Sequence, residues 1–200
     1  AGREVILAAS TIGAAKLLLL SGVGPADELR ALGLPVALDQ PHVGRNLENH
    51  PGVNLQYAAR REDTLVPQLG LMGQARLGLE WLLFRRGLGA SNFFEAGAFL
   101  KTHAGADYAN LQLEFLPLAR RIVNGKVTVF PGFQLWMDLS RPQSRGYMRL
   151  RSANPTDAPE IIFNHLQHHE DQQDMIRAVR LARELFAQKA WDGIRGDDVS

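Results

Sequence analysis

The sequence predicts an α+β fold, an antiparallel sheet flanked by helices, with a piece of a parallel α/β unit at the N-terminus. Three observations carry this. A short apolar run with β-branched residues, 4–9, leads directly into a helical stretch, the order of a βα unit. Alternating segments then succeed one another between residues 52 and 163 with few helices between them, which favours antiparallel pairing. Finally, residues 171–191 repeat apolar side chains at helical spacing, with Met175, Val179, Ala182 and Phe186 on one face and Ile176 and Leu185 beside them.

Taken in order, Glu4-Val5-Ile6-Leu7-Ala8-Ala9 reads as a strand buried on both faces. Ser10 or Thr11 is expected to cap the helix that follows over 14–20, and Gly22 and Gly24 to stop it. Pro25 suits the first position of a second helix, 26–32, after which 34–38 makes a short strand. Residues 39–51 are polar and rich in turn formers. Strands are expected over 52–59, 93–100, 110–116 and 127–139, the last interrupted at Pro131-Gly132, and over 147–151 and 158–163. A helix is expected over 69–84, and 87–92 is a loop. The final eight residues show no pattern of their own.

Length and composition set limits. Two hundred residues make one domain, or one and part of another. Lys+Arg of 22 against Asp+Glu of 21 leaves a formal charge of +1, which gives no electrostatic case for nucleic acid or an acidic membrane surface. With no cysteine, disulfides, thiolate metal sites and cysteine nucleophiles are excluded; the absence suits a cytoplasmic protein. No segment reaches the length of a membrane span. His165, His168, His169, Glu170 and Asp171 are dense in metal-capable groups, but they straddle the start of the clearest helix, where acids suit the positive end of the dipole. They are read as helix-start residues and no metal site is expected. Trp81, Trp136 and Trp191 are read as core residues.

Three motifs stand in a fixed order: the opening stretch through Ser21-Gly22-Val23-Gly24-Pro25, the loop Val43-Gly44-Arg45-Asn46-Leu47, and the turn Arg141-Pro142-Gln143-Ser144-Arg145-Gly146. Together with Gly87-Leu88-Gly89-Ala90-Ser91-Asn92-Phe93-Phe94-Glu95-Ala96-Gly97, they resemble the glucose–methanol–choline (GMC) flavoprotein oxidoreductases, and within them the bacterial choline-oxidising dehydrogenases. The family usually carries Gly-Ala where this chain has Ser10-Thr11, and Gln-Asp-His where it has Glu48-Asn49-His50.

The resemblance implies the following expectations. Residues 1–52 are the remnant of an FAD-binding α/β domain and 53–200 a truncated GMC substrate-binding domain. The cofactor is FAD, approached by Ser10, Thr11 and His50; judged without the resemblance, His50 is a structural histidine. The reaction is oxidation of choline to betaine aldehyde by hydride transfer to flavin. Glu95 faces the trimethylammonium group, with Phe94, Asn92 and Ser91 around it, because such a cation wants aromatic faces and a carboxylate. Judged without the resemblance, Glu95 is a solvent-facing strand residue. Arg141 and Arg145 fix their turn. The family's Gly-x-Gly-x-x-Gly fingerprint and its C-terminal catalytic histidine have no counterpart here, so no catalytic residue is assigned and the isolated chain is expected to be inactive. The implied electron acceptor is a respiratory-chain component, compatible with a peripheral position at the inner membrane. The rival expectations are a GMC dehydrogenase for another alcohol, and a non-catalytic module that self-associates through open strand edges.

Overall fold

The computed structural model describes residues 2–61 and 64–200. In chain order it contains α1 (Ser10–Leu20), β1 (Val23–Gly24), α2 (Ala26–Ala31), β2 (Leu38–Asp39), β3 (Arg45–Leu47), β4 (Gly52–Ala59), α3 (Leu71–Phe84), β5 (Ala96–Leu100), β6 (Leu111–Leu116), β7 (Ala119–Val123), β8 (Lys126–Phe130), β9 (Gly132–Leu139), β10 (Gly146–Arg149), β11 (Glu160–Ile162), α4 (His169–Phe186) and β12 (Arg195–Asp198). Short 3₁₀ turns lie at Val66–Leu69, Leu88–Ala90 and Lys189–Trp191. The mixed architecture with antiparallel sheets is the one the strand alternation predicts. Two compact units emerge: the chain up to Asn49 with Pro142–Asp171, and His50–Arg141 with Gln172–Ser200.

In the first unit, β1 and β2 pair in parallel, and β10 stands between β11 and β3 in an antiparallel sheet. Leu19, Leu29, Met148 and Leu150 form its buried core, with Ile12, Val36, Val43 and Ile161 packed against them. Gly22 adopts φ +83° after the end of α1, and its N–H returns to the Leu19 carbonyl at 3.0 Å, so it stops the helix as glycine can. Gly24 does not; it belongs to β1, where Leu19 packs on it so closely that a Cβ would not fit. The carboxylate of Asp39 accepts the Ala26 N–H at 3.1 Å and so caps α2 from outside the helix.

Two expectations fail at the start of the chain. Residues 4–9 form no strand, and Val5 and Ile6 are 73% and 81% exposed. A strand buried on both faces needs paired strands beside it and a packed layer over each face, and no described segment supplies them. Neither Ser10 nor Thr11 caps the helix: α1 begins at Ser10 itself, with Ala9 at the cap position and no side-chain hydrogen bond there.

The second unit is built on a five-stranded antiparallel sheet in the order β12-β4-β9-β6-β5. In register, Leu55 faces Leu135 and Leu113 faces Met137, so one face collects the apolar half of each alternating strand. Against this face α4 lays Met175, Ala178, Ala182 and Phe186, all buried. Phe186 meets Tyr57, Phe133 and Trp191 at centroid separations of 4.9, 5.4 and 5.0 Å. Asp174 of α4 accepts the Thr102 hydroxyl at 2.6 Å and the Asn110 amide at 2.8 Å, which ties the helix to the β5–β6 connection. Pro131 breaks the predicted long strand into β8 and β9, because proline cannot donate to the ladder. Contrary to the patternless appearance of the last eight residues, β12 pairs with β4.

Candidate functional site

The outer face of the same sheet is built from the other half of the alternation. It carries Gly52 and Asn54 on β4, Gln134, Trp136 and Asp138 on β9, and Gln112, Glu114 and Leu116 on β6. A cavity of about 240 Å³ opens on it, lined by Phe94, Glu114, Leu116, Arg120, Gln134 and Trp136. Its volume suits a small molecule. The polar groups are fixed by one another: Gln112 donates to the Glu114 carboxylate, and the Asn54 amide donates to the Gln134 oxygen. The Arg120 guanidinium stands 5.7 Å from the centre of the Trp136 ring. Among the described residues, Asn54 Oδ1 is one of the few buried side-chain atoms without a hydrogen-bond partner.

Asp138 shares the face. Burial pushes its carboxyl above the usual carboxylate range and the nearby Glu114 adds to this, while the Trp136 indole N–H, which it accepts, and His50 pull the other way. Gly52 makes the arrangement possible: a Cβ there would fall on the Asp138 carboxylate and the Trp136 indole nitrogen. A carboxyl whose pKa is raised by folding contributes stability below its unfolded value and loses it as pH rises through the folded value. Asp138→Asn is therefore expected to raise the thermal midpoint at pH 7, with the difference closing as pH falls below about 4. Thermal denaturation of both proteins across that range checks it; a difference independent of pH would overturn it.

The predicted residues fall in three places. Ser91, Asn92 and Glu95 come together in one tight loop of the second unit. The Ser91 hydroxyl donates to Glu95 at 2.9 Å and accepts the Phe93 N–H at 2.9 Å, and Asn92 accepts the Phe94 N–H at 3.1 Å. These bonds hold Phe93 at φ +67° and deliver Phe94 to the cavity wall. Glu95 itself is exposed and does not line the cavity. His50 is exposed, just ahead of β4. Ser10 and Thr11 are exposed at the head of α1 in the first unit.

Of the two turn arginines, Arg145 braces the turn as expected, whereas Arg141 is exposed and stacks on a ring outside it. Arg145 donates to the carbonyls of Pro142 and Ser144 at 2.7 and 3.0 Å and pairs with Glu48 at 2.9 Å, and the Arg141 guanidinium lies 4.7 Å from the Tyr108 ring centre.

Glu114, Arg120, Gln134 and Asp138 were not singled out by the sequence, and Trp136 was read as core, whereas it lines the cavity. The signal was present in the alternation of Leu111-Gln112-Leu113-Glu114 and Leu135-Trp136-Met137-Asp138, whose polar members must share a face. Trp136 is half-buried and Trp81 exposed; of the three tryptophans Trp191 joins the aromatic core.

A concave site whose wall is mostly apolar, with Glu114, Arg120 and Gln134 as its few polar groups, is of the kind that holds small molecules. Two GMC oxidoreductase family models match, the N-terminal one over residues 1–52 and the C-terminal one over 142–199, together more than half of the chain. Over 199 residues the chain is 45% identical to the oxygen-dependent choline dehydrogenase of Brucella canis and 41% identical to that of Photobacterium profundum. Both alignments cover 100% of this chain, but 36% and 35% of the relatives, so it spans little more than a third of their length. Among solved structures, a formate oxidase of Aspergillus oryzae aligns with a TM-score of 0.81 at 22% identity, covering 93% of this chain and 37% of that one. An FAD-dependent oxidoreductase of Chaetomium thermophilum aligns at 0.79 and 20%, covering 100% and 40%. The chain belongs to the GMC oxidoreductase family.

Proposed function

We propose that this chain forms part of an FAD-dependent alcohol oxidoreductase that converts choline to betaine aldehyde. The observation that carries the proposal is the 45% identity, over the whole chain, to relatives named as choline dehydrogenases. Residues 1–52 are assigned to the edge of the flavin domain and 53–200 to the substrate domain. Support comes from the N-terminal family model, which ends at residue 52, and from the second unit, which begins at His50. Within this division, residues 142–171 return to the first unit.

The head of α1 fits a phosphate-bearing cofactor. It has no side-chain cap and no acidic residue in its first turn, so its leading N–H groups stay available to an anion. Ser10 has φ +58°, the conformation that favours glycine, at the position where the resemblance places one. Ser10 and Thr11 would hold FAD at this point; when bound, FAD accepts hydride from the alcohol carbon. Glu95 would neutralise the quaternary ammonium, Ser91 would hold the Glu95 carboxylate in place, Asn92 would fix the loop and Phe94 would supply an aromatic face. A respiratory-chain component would take the electrons onward, tested by comparing turnover of the holoenzyme with a quinone and with dioxygen.

Calorimetric titration of the chain with choline and with its uncharged carbon isostere tests the substrate assignment. Choline is expected to bind preferentially, and Glu95→Gln to weaken it about ten-fold or more while leaving the isostere unchanged. Equal binding of the two ligands, or no effect of Glu95→Gln, would overturn it. One observation favours a second reading, an alcohol other than choline: Arg120 already occupies the neighbourhood of Trp136 that a ligand cation would seek. Preference for the uncharged isostere would select this second reading.

A further inference from the structure

Among the residues that line the cavity, Arg120 alone comes from the β7–β8 ribbon, a two-stranded sheet of its own. The root of this side chain is fixed. Ala119 is fully buried, and the Arg120 N–H donates to Gln56 Oε1 at 2.8 Å. In the pairing with β8, Arg120 faces Val129 and Arg121 faces Thr128, so the two arginines leave the ribbon on opposite faces. Arg121 lies 5.3 Å from the ring centre of Phe130, within the ribbon, whereas Arg120 reaches back over the cavity to Trp136.

Beyond that root, the indole is what holds the guanidinium. Among the described residues it forms no ion pair, although Glu114 lines the same cavity and stands opposite Trp136 in register. An arginine stem is long and flexible, and its charged head is well satisfied in water. Leaving the ring therefore costs the cation–π attraction and little else. One aromatic face holds one cation at a time, because two would repel each other there. A quaternary ammonium entering the cavity and the Arg120 guanidinium compete for the same ring.

We infer that Arg120 is an internal cation that occupies the Trp136 ring until a ligand cation displaces it, and so sets how tightly the cavity takes quaternary ammonium compounds. Arg120 has this role only for the charged substrate proposed above; a neutral alcohol does not seek the ring as a cation acceptor and does not compete. Displacement leaves the guanidinium in water and brings the ligand's charge beside the Glu114 carboxylate, which the Gln112 amide already orients. Exchanging one cation for another on the indole lowers the net affinity, and the returning guanidinium hastens release.

Calorimetric titration of the wild-type chain and of Arg120→Gln with tetramethylammonium, choline and choline's uncharged carbon isostere tests this. The variant is expected to bind both cations about three-fold more tightly or better, the size of an exposed cation–π contact, and to bind the isostere as the wild type does. Arg120→Lys, which keeps the charge but loses the flat stacking surface, should fall between the two. Arg120 is exposed, so Arg120→Gln should keep the wild-type circular dichroism spectrum and thermal midpoint. An equal gain for the cations and the isostere overturns the inference, because Arg120 would then be a steric plug. A gain that persists in a Trp136→Leu background also overturns it, as a field effect of the lost charge. Cations bound equally by wild type and Arg120→Gln overturn it and leave the choline reading standing, whereas cations bound by neither overturn both.

Discussion

Phe186→Ala is expected to lower the unfolding free energy by about 3–5 kcal/mol, the range for removing a large aromatic from a close-packed core. Phe186 is fully buried and sits where α4 meets the sheet, with Tyr57, Phe133 and Trp191 around it. Each of those rings is anchored by a different element, β4, β9 and the turn Lys189–Trp191, so the void cannot close by the shift of one neighbour. Leu185, the adjacent residue, is 39% exposed, and Leu185→Ala should cost about 1 kcal/mol or less. Urea denaturation of the two variants makes the comparison; similar losses would show that α4 does not pack as described.

Asp171→Ala should be nearly as damaging, by about 3 kcal/mol, through polar chemistry instead of volume. The carboxylate is 3% exposed and accepts the Gln143 N–H at 2.7 Å, the Ser144 N–H at 2.8 Å and the Ser144 hydroxyl. The same hydroxyl accepts the His168 N–H at 3.0 Å. Removing the acid leaves buried donors without an acceptor, a larger loss than the bonds themselves are worth. Asp171→Asn keeps one oxygen and should recover part of the loss. Amide exchange at Gln143 and Ser144 is expected to accelerate in both variants, more in the alanine one; unchanged exchange would mean that the turn holds without the carboxylate.

Asp171 also illustrates what a sequence yields and withholds. Its place at the start of a helix was legible, and a dipole argument accounts for an acid there. Its actual partners lie 27 and 28 residues earlier in the chain, and no local pattern reports them. The strands 52–59 and 110–116 were legible because half-buried strands alternate. The same alternation defined a polar face without saying that a cavity opens on it; that depended on the register placing Glu114 opposite Trp136. The run 4–9 misled because continuous apolarity signals burial only if neighbours exist to provide it. β12 was missed for the opposite reason: Arg195-Gly196-Asp197-Asp198 carries no apolar alternation and is held by its backbone pairing to β4. The family, by contrast, was legible in three short motifs, because tight turns built on glycine and proline constrain individual residues more closely than a core does.

The interleaving of the two units has a consequence for synthesis. Arg45 of β3 finds its neighbour only when Tyr147 has been made, and β4 lies between β9 and β12, both of them later in the chain. A nascent chain leaving the ribosome therefore carries β3 unpaired until β10 has emerged and β4 until β9 has, since vectorial folding completes only units whose segments have all emerged. Both units close late, the second when β12 appears, and the interval before that is when a chaperone or a neighbouring nascent chain can reach the open strands.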